Sequence, residues 1–303
     1  YWIYCRRNFT ECRYSLRMEK DIFREMFGFA GWNFLTTCAS MLSTQGVSIL
    51  LNMQFGPVIN ASRGVASQIN GTVGAFHRNF TTALNPQITK TYAAEDFEYV
   101  KRLVCKGAKF SYLAFFFIAL PCMIEVNFFL SVWLKEVPAY AGIFVQLTLL
   151  NSLVEVLLNS SETLNRATGK IRNFQLLVSS AQFAILIASY IALKITANPI
   201  LVVSMANIIY LLIFVPRILV NKPYVGMTFG YYYKEVLQGI IMMSVISAAL
   251  SLLPFMFMSD GWMRLVTVGV VSSISIIITS AIFVLTKGER DMVVRFVKNK
   301  LKR

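Results

Sequence analysis

The sequence predicts an all-α, polytopic membrane protein of about eight transmembrane helices. Three observations carry that prediction. First, 56% of the 303 residues are apolar and only 15% are charged, against about 25% charged in an ordinary soluble domain. The mean hydropathy is +0.59. A soluble globule needs a polar skin that this composition does not supply, which excludes a soluble enzyme and a disordered chain. Second, apolar runs of about 20 residues, the length that crosses a bilayer, recur along the chain. Third, the basic residues fall on one side of those runs.

The chain opens YWIYCRR. Tyr1, Trp2 and Tyr4 followed by Arg6 and Arg7 read as the aromatic belt and basic exit of an earlier helix. The expectation is therefore a longer protein whose amino-terminal part precedes Tyr1. Residues 17–29 pattern as a short amphipathic interfacial helix, with Ile22, Met26 and Phe29 on one face and Phe23 and Phe27 beside it. The spans follow at 31–54, 62–85, 108–130, 140–160, 172–194, 199–219, 235–258 and 263–286.

The second span is too polar for hydropathy to find. Pro57 and Asn60 suit a turn before it, and Ser62 suits an N-cap. Val65, Ile69, Val73, Phe76 and Phe80 then recur at helical spacing as one apolar face. Charge supports this span. With all eight in place, 24 of the 29 basic residues lie on one side of the membrane. They are Arg6 to Arg24, Lys90 to Lys109, Arg166 to Arg172, Arg217 to Lys234 and the tail from Lys287. Only Lys135, Lys194 and Arg264 lie on the other side, and Arg63 and Arg78 lie within the polar span. Removing that span inverts every later loop. The positive-inside rule thus puts both ends of this segment in the cytoplasm. It also explains the net charge of +14 without nucleic acid.

Intramembrane polar residues face protein or water, so they mark candidate sites. Arg63, Ser67, Asn70, Gly74, Arg78, Thr81 and Asn85 form one stripe opposite the apolar face, with Gln68 and His77 at its edges. Such a stripe suits a cavity, and two guanidiniums suit phosphate. The competing reading is that Arg63 and Arg78 snorkel to opposite interfaces. His77, the single histidine, reads as a packed polar residue or a proton switch. Gly71 and Gly74 read as sites of close helix approach. On the fourth span Asn151, Glu155, Asn159, Glu162 and Arg166 share a face. Glu162 and Arg166 form a surface pair. Glu155 has no basic neighbour one turn away, so it is the candidate ion-coupling carboxylate, flanked by Asn151 and Asn159. The alternative is a neutral, hydrogen-bonded core acid. Glu125 is a weaker candidate. In the first span Gln45 faces either a cavity or a helix seam, among hydroxyls such as Thr36, Ser40 and Ser48. The five cysteines lack metal spacing, and Cys38 and Cys122 read as packing residues. No nucleotide-binding or zinc-hydrolase motif occurs. The expectation is no metal, no cofactor and no catalytic group.

FGPVINASRGVASQINGTVGAF (residues 55–76) and NFTTALNPQITKTYAAED (residues 79–96), preceded by EMFGFAGWNFL (residues 25–35), resemble the bacterial Wzx-type O-antigen and lipopolysaccharide flippases. These belong to the multidrug/oligosaccharidyl-lipid/polysaccharide superfamily. Only residues 23–94 are distinctive, and the rest is generic apolar helix. The resemblance implies two six-helix lobes forming a V around a central cavity. Residues 1–30 would then be a cytoplasmic linker, 31–221 the second lobe, and 222–303 an added helix pair with a basic tail. The whole first lobe is lacking here, which leaves a half-V that cannot alternate access alone.

The implied activity is movement of isoprenoid-pyrophosphate-linked oligosaccharide from the cytoplasmic to the outer leaflet of the bacterial inner membrane. Arg63, Asn70, Arg78, Asn85 and Gln45 would line the substrate cavity. Glu155, Asn151 and Asn159 would couple transport to H+ or Na+. The implied partners are the lipid-linked oligosaccharide, membrane lipids, the missing lobe, and glycan polymerase or ligase machinery. Two alternatives stand beside it: a cation-coupled multidrug exporter, and a non-transport membrane enzyme of the same glycan pathway. The exporter calls for cavity carboxylates. The enzyme calls for a large outer loop or acidic motif, yet Asp260 is the only outer aspartate.

Overall fold

The computed structural model describes residues 2–9 and 20–291. Arg13, Arg17, Cys12, residues 17–19 of the expected interfacial helix and the basic residues from Arg295 onward lie outside them. Among the described residues all regular structure is helical, and seven helical stretches are long and apolar enough to cross a membrane. This is a multi-pass membrane protein.

A short helix α1 (Trp2–Asn8) precedes α2 (Lys20–Phe55). The expected interfacial helix and first span are one continuous helix. Nothing in the sequence separates them: no proline intervenes, and Gly28 and Gly31 each cost a helix only about 1 kcal/mol. At about 1.5 Å per residue α2 reaches roughly 54 Å, well beyond a 30 Å hydrocarbon core.

Helix α3 (Pro57–Ala93) is the polar span, and it forms despite its low hydropathy. It begins five residues before the expected cap. Gly56 turns the chain at φ 79°, and Pro57 enters at the first helical position, where its missing N–H is no loss. Ser62 is interior, and its hydroxyl donates to the carbonyls of Val58 and Ala139.

Asp96 caps α4 (Phe97–Ile124) by accepting the Tyr99 N–H. The chain breaks at Glu125 and resumes in α5 (Val126–Trp133), so the third span is two helices. Then come α6 (Ala141–Ala167), α7 (Arg172–Thr196), α8 (Pro199–Leu212) and α9 (Phe214–Leu219). The expected span 199–219 is split between α8 and α9 at Ile213. Pro216 gives the reason, because it offers no N–H to the Leu212 carbonyl. Two single turns, α10 (Lys222–Val225) and α11 (Phe229–Tyr232), lead through a π-helical turn (Tyr233–Leu237) into α12 (Gln238–Phe257). Helix α13 (Trp262–Thr279) ends in a second π turn (Ser280–Val284).

Contacts fix the arrangement. Ser62 meets Ala139, His77 meets Asn159 and Asn85 meets Thr163, so α3 and α6 run parallel. Helix α4 returns antiparallel between them, with Ser111 against Thr81. Gly107 lets α4 approach α6 closely, since a Cβ there would lie 2.2 Å from Ser160 Oγ. Helices α2 and α7 form a second parallel pair, tied by Thr36 to Gln175 and Ser179. Helix α8 folds back on α7, and α12 and α13 pair with each other and dock on α4. The buried stripe of α3 is Ile59, Ala66, Ile69, Val73, His77 and Ile88. Phe76 points away at 57% exposure. The apolar face expected from sequence therefore holds at Ile69 and Val73 and fails at Phe76.

Candidate functional site

The polar stripe of α3 divides into three environments. Arg63, Ser67 and Asn70 line a cavity of about 320 Å³ enclosed by α2, α3, α6, α7 and α8. Thr81 and Asn85 instead bond to neighbouring helices, at Ser111 and Thr163. Arg78 is exposed and lies back along its own helix, its Nη2 donating to the Gly71 carbonyl at 2.8 Å. Gly74 makes room for this, because a Cβ there would meet Arg78 Nη1 at 2.7 Å. Gly71 has open space around its Cα. Neither glycine serves the close helix approach expected of it. Arg63 and Arg78 are 15 residues apart on one helix, roughly 22 Å along its axis. The Arg78 guanidinium folds back to the level of Gly71, but it lies on the exposed face while Arg63 lines the cavity, so the stripe is not one continuous site.

The polar part of the cavity lining is amide and hydroxyl, set among apolar residues such as Val47, Phe144 and Ile185. Asn151 of α6, Gln182 of α7, and Asn207 and Tyr210 of α8 face the same space as Arg63. Gln182 donates to the Tyr210 hydroxyl at 2.6 Å. The side-chain oxygens of Asn70, Asn151 and Asn207 are buried without a hydrogen-bond partner. Arg63 Nη1 donates to Ser48 Oγ at 2.6 Å, and Arg63 has no carboxylate partner among the described residues. Thr44 and Ser67 are exposed, so the cavity opens between α2 and α3. Gln45 is exposed and lies outside this lining.

Glu155 is not the lone carboxylate that its own helix suggested. Arg217 of α9 reaches it in an ion pair and lies 3.6 Å from Glu162 through its other nitrogen. Arg217 is 2% exposed and also stacks over the Phe174 ring. Glu155 follows Asn151 by one turn and Arg217 follows Tyr210 by two turns, so this pair sits just beyond the cavity floor. Asn151 and Asn159 do not flank Glu155 as hydrogen-bond partners. Asn159 contacts His77 Nε2 at 3.3 Å, and Asn151 faces the cavity. His77 is buried against Phe115, away from the cavity. Glu162 and Arg166 form their expected pair at 2.8 Å.

Two more buried pairs replace loop charges in the sequence reading. Arg264 binds Glu125 through Nε and Nη2 at 2.8 and 2.9 Å, with Asp260 on its third nitrogen. Lys109 lies 3.9 Å from Glu289. Lys109, Arg217 and Arg264 are thus interior charges held by carboxylates, and all three had been assigned to the membrane surfaces. Sequence reasoning also missed Gln182 and Asn207, which look like ordinary polar residues in apolar helices until three helices bring them to one void. No family model matches the chain, and no curated protein or solved structure matches it.

Proposed function

We propose that this chain is one lobe of a flippase for isoprenoid-pyrophosphate-linked oligosaccharide, in which the exposed face of α3 forms one wall of the path and an amino-terminal lobe supplies the other. The observation that carries the reading is Arg78. It is exposed on a helix that packs among membrane spans, and among the described residues its guanidinium has no carboxylate partner and one hydrogen bond, to a main-chain carbonyl. A guanidinium without an anion on a polar helix face is suited to a phosphate.

The neighbouring exposed residues Ser67, Gln68, Gly71, Thr72 and Asn79 are small or hydrogen-bonding, which suits sugar hydroxyls, and Phe76 adds one large apolar side chain beside them. Asn85 is bonded to Thr163 and supports the wall rather than touching cargo. Cationic drugs call for carboxylates on this surface, and Arg78 argues for the opposite cargo charge. No bond need be made or broken, so the reading is transport and not catalysis. Vectorial flipping would draw on an ion gradient or on downstream polymerase or ligase machinery.

Arg78→Ala in the full-length protein should abolish surface glycan export with normal membrane insertion, while Arg78→Lys restores part of it. Wild-type export by Arg78→Ala would overturn the reading.

A further inference from the structure

We propose that the cavity around Arg63 is a binding site for a small anion of chloride size, separate from the Arg78 face and independent of what the protein transports. The site carries one fixed positive charge, and no acidic side chain lines it. Its nearest carboxylate along α6, Glu155, is held by Arg217. A half-buried guanidinium whose recorded bond is to a neutral hydroxyl, Ser48, keeps several donors without a charged acceptor. Burying such a charge is costly unless an anion accompanies it.

The other wall groups are suited to complete that anion's shell. Asn70, Asn151 and Asn207 each have a buried side-chain oxygen without a partner. Those oxygens are shut off from the void, so the NH2 group is the accessible end of each amide and can donate to an anion as it stands. Thr148 adds a hydroxyl that donates equally well, whereas the Ser189 hydroxyl already donates to the Val202 carbonyl. The volume of about 320 Å³ holds an anion with several waters, at roughly 30 Å³ of liquid volume each. The opening at Thr44 and Ser67 gives access from outside the helix bundle. The same features speak against Na+ here, because Arg63 already places a cation in the void.

The experiment is thermal unfolding of the full-length protein in lipid nanodiscs at constant ionic strength. Sodium gluconate is exchanged stepwise for sodium chloride, and in a parallel series for choline chloride. The expected result is a saturable rise in the unfolding midpoint that follows chloride and is the same with either cation. Arg63→Gln should abolish the rise. Asn207→Asp, which supplies a tethered carboxylate beside Arg63, should raise the midpoint without chloride and remove the chloride response. That second variant keeps the test decisive if Arg63→Gln does not fold. A midpoint that follows sodium, or a chloride response that survives Asn207→Asp, would overturn the proposal.

Discussion

Arg217 shows how far single-helix reasoning reaches. From sequence it belongs to a basic loop and Glu155 is an isolated carboxylate. In the folded chain they neutralise each other across 62 residues. Spacing rules read charges one turn apart on one helix, which is why Glu162 and Arg166 were legible and this pair was not. The same limit hid Arg264 and Glu125, which are 139 residues apart. The consequence is that Glu155→Gln removes one partner of an ion pair. Removing one partner of a buried ion pair costs about 3–5 kcal/mol when both are fully buried. Glu155 is 32% exposed and Glu162 remains near Arg217, so the loss should fall below that range. Arg217→Gln combined with Glu155→Gln should recover part of the stability lost by either alone. A double-mutant cycle in denaturation checks this, and strict additivity would mean that the pair is not coupled.

At the scale of elements, the helices were legible and their interruptions only in part. The existence of α3 followed from hydrophobic spacing and charge placement, although its hydropathy is too low to mark it. Its start at Pro57 was misjudged, because a proline that ends one helix also suits the first turn of the next. The split of the span 199–219 had its cue in Pro216. The two π turns had none that periodicity registers. The first packs on α4 and the second on α12, where Gly239 meets the Phe283 backbone: a Cβ there would stand 2.3 Å from the carbonyl oxygen. A backbone group cannot swing aside as a side chain can. Gly239→Ala should therefore force the two helices apart and destabilise the pair by about 1–3 kcal/mol, the usual range for overpacking. Gly269→Ala, on the same pair but with open space around it, should be neutral or stabilise by up to about 1 kcal/mol. Equal thermal stability of the two variants would contradict the close contact.

At the scale of the whole molecule, composition pointed to the membrane and the recurring apolar runs of about 20 residues pointed to helices. What composition could not show is which polar residues share a space. That depends on α2, α3, α6, α7 and α8 converging, which places Arg63 with Asn207 and parts it from Arg78. The central claim is that α3 crosses the bundle with one face against its neighbours and the other in water. Cysteines placed singly along α3 and challenged with a membrane-impermeant thiol reagent test this directly, in a background lacking the native cysteines. The account predicts labelling at Gln68, Gly71, Thr72, Ala75 and Asn79, protection at Ile69 and Val73, and protection by lipid of the exposed apolar positions Phe34 and Met53 on α2. Uniform protection along α3, or labelling of Met53 as strong as that of Gly71, would contradict it.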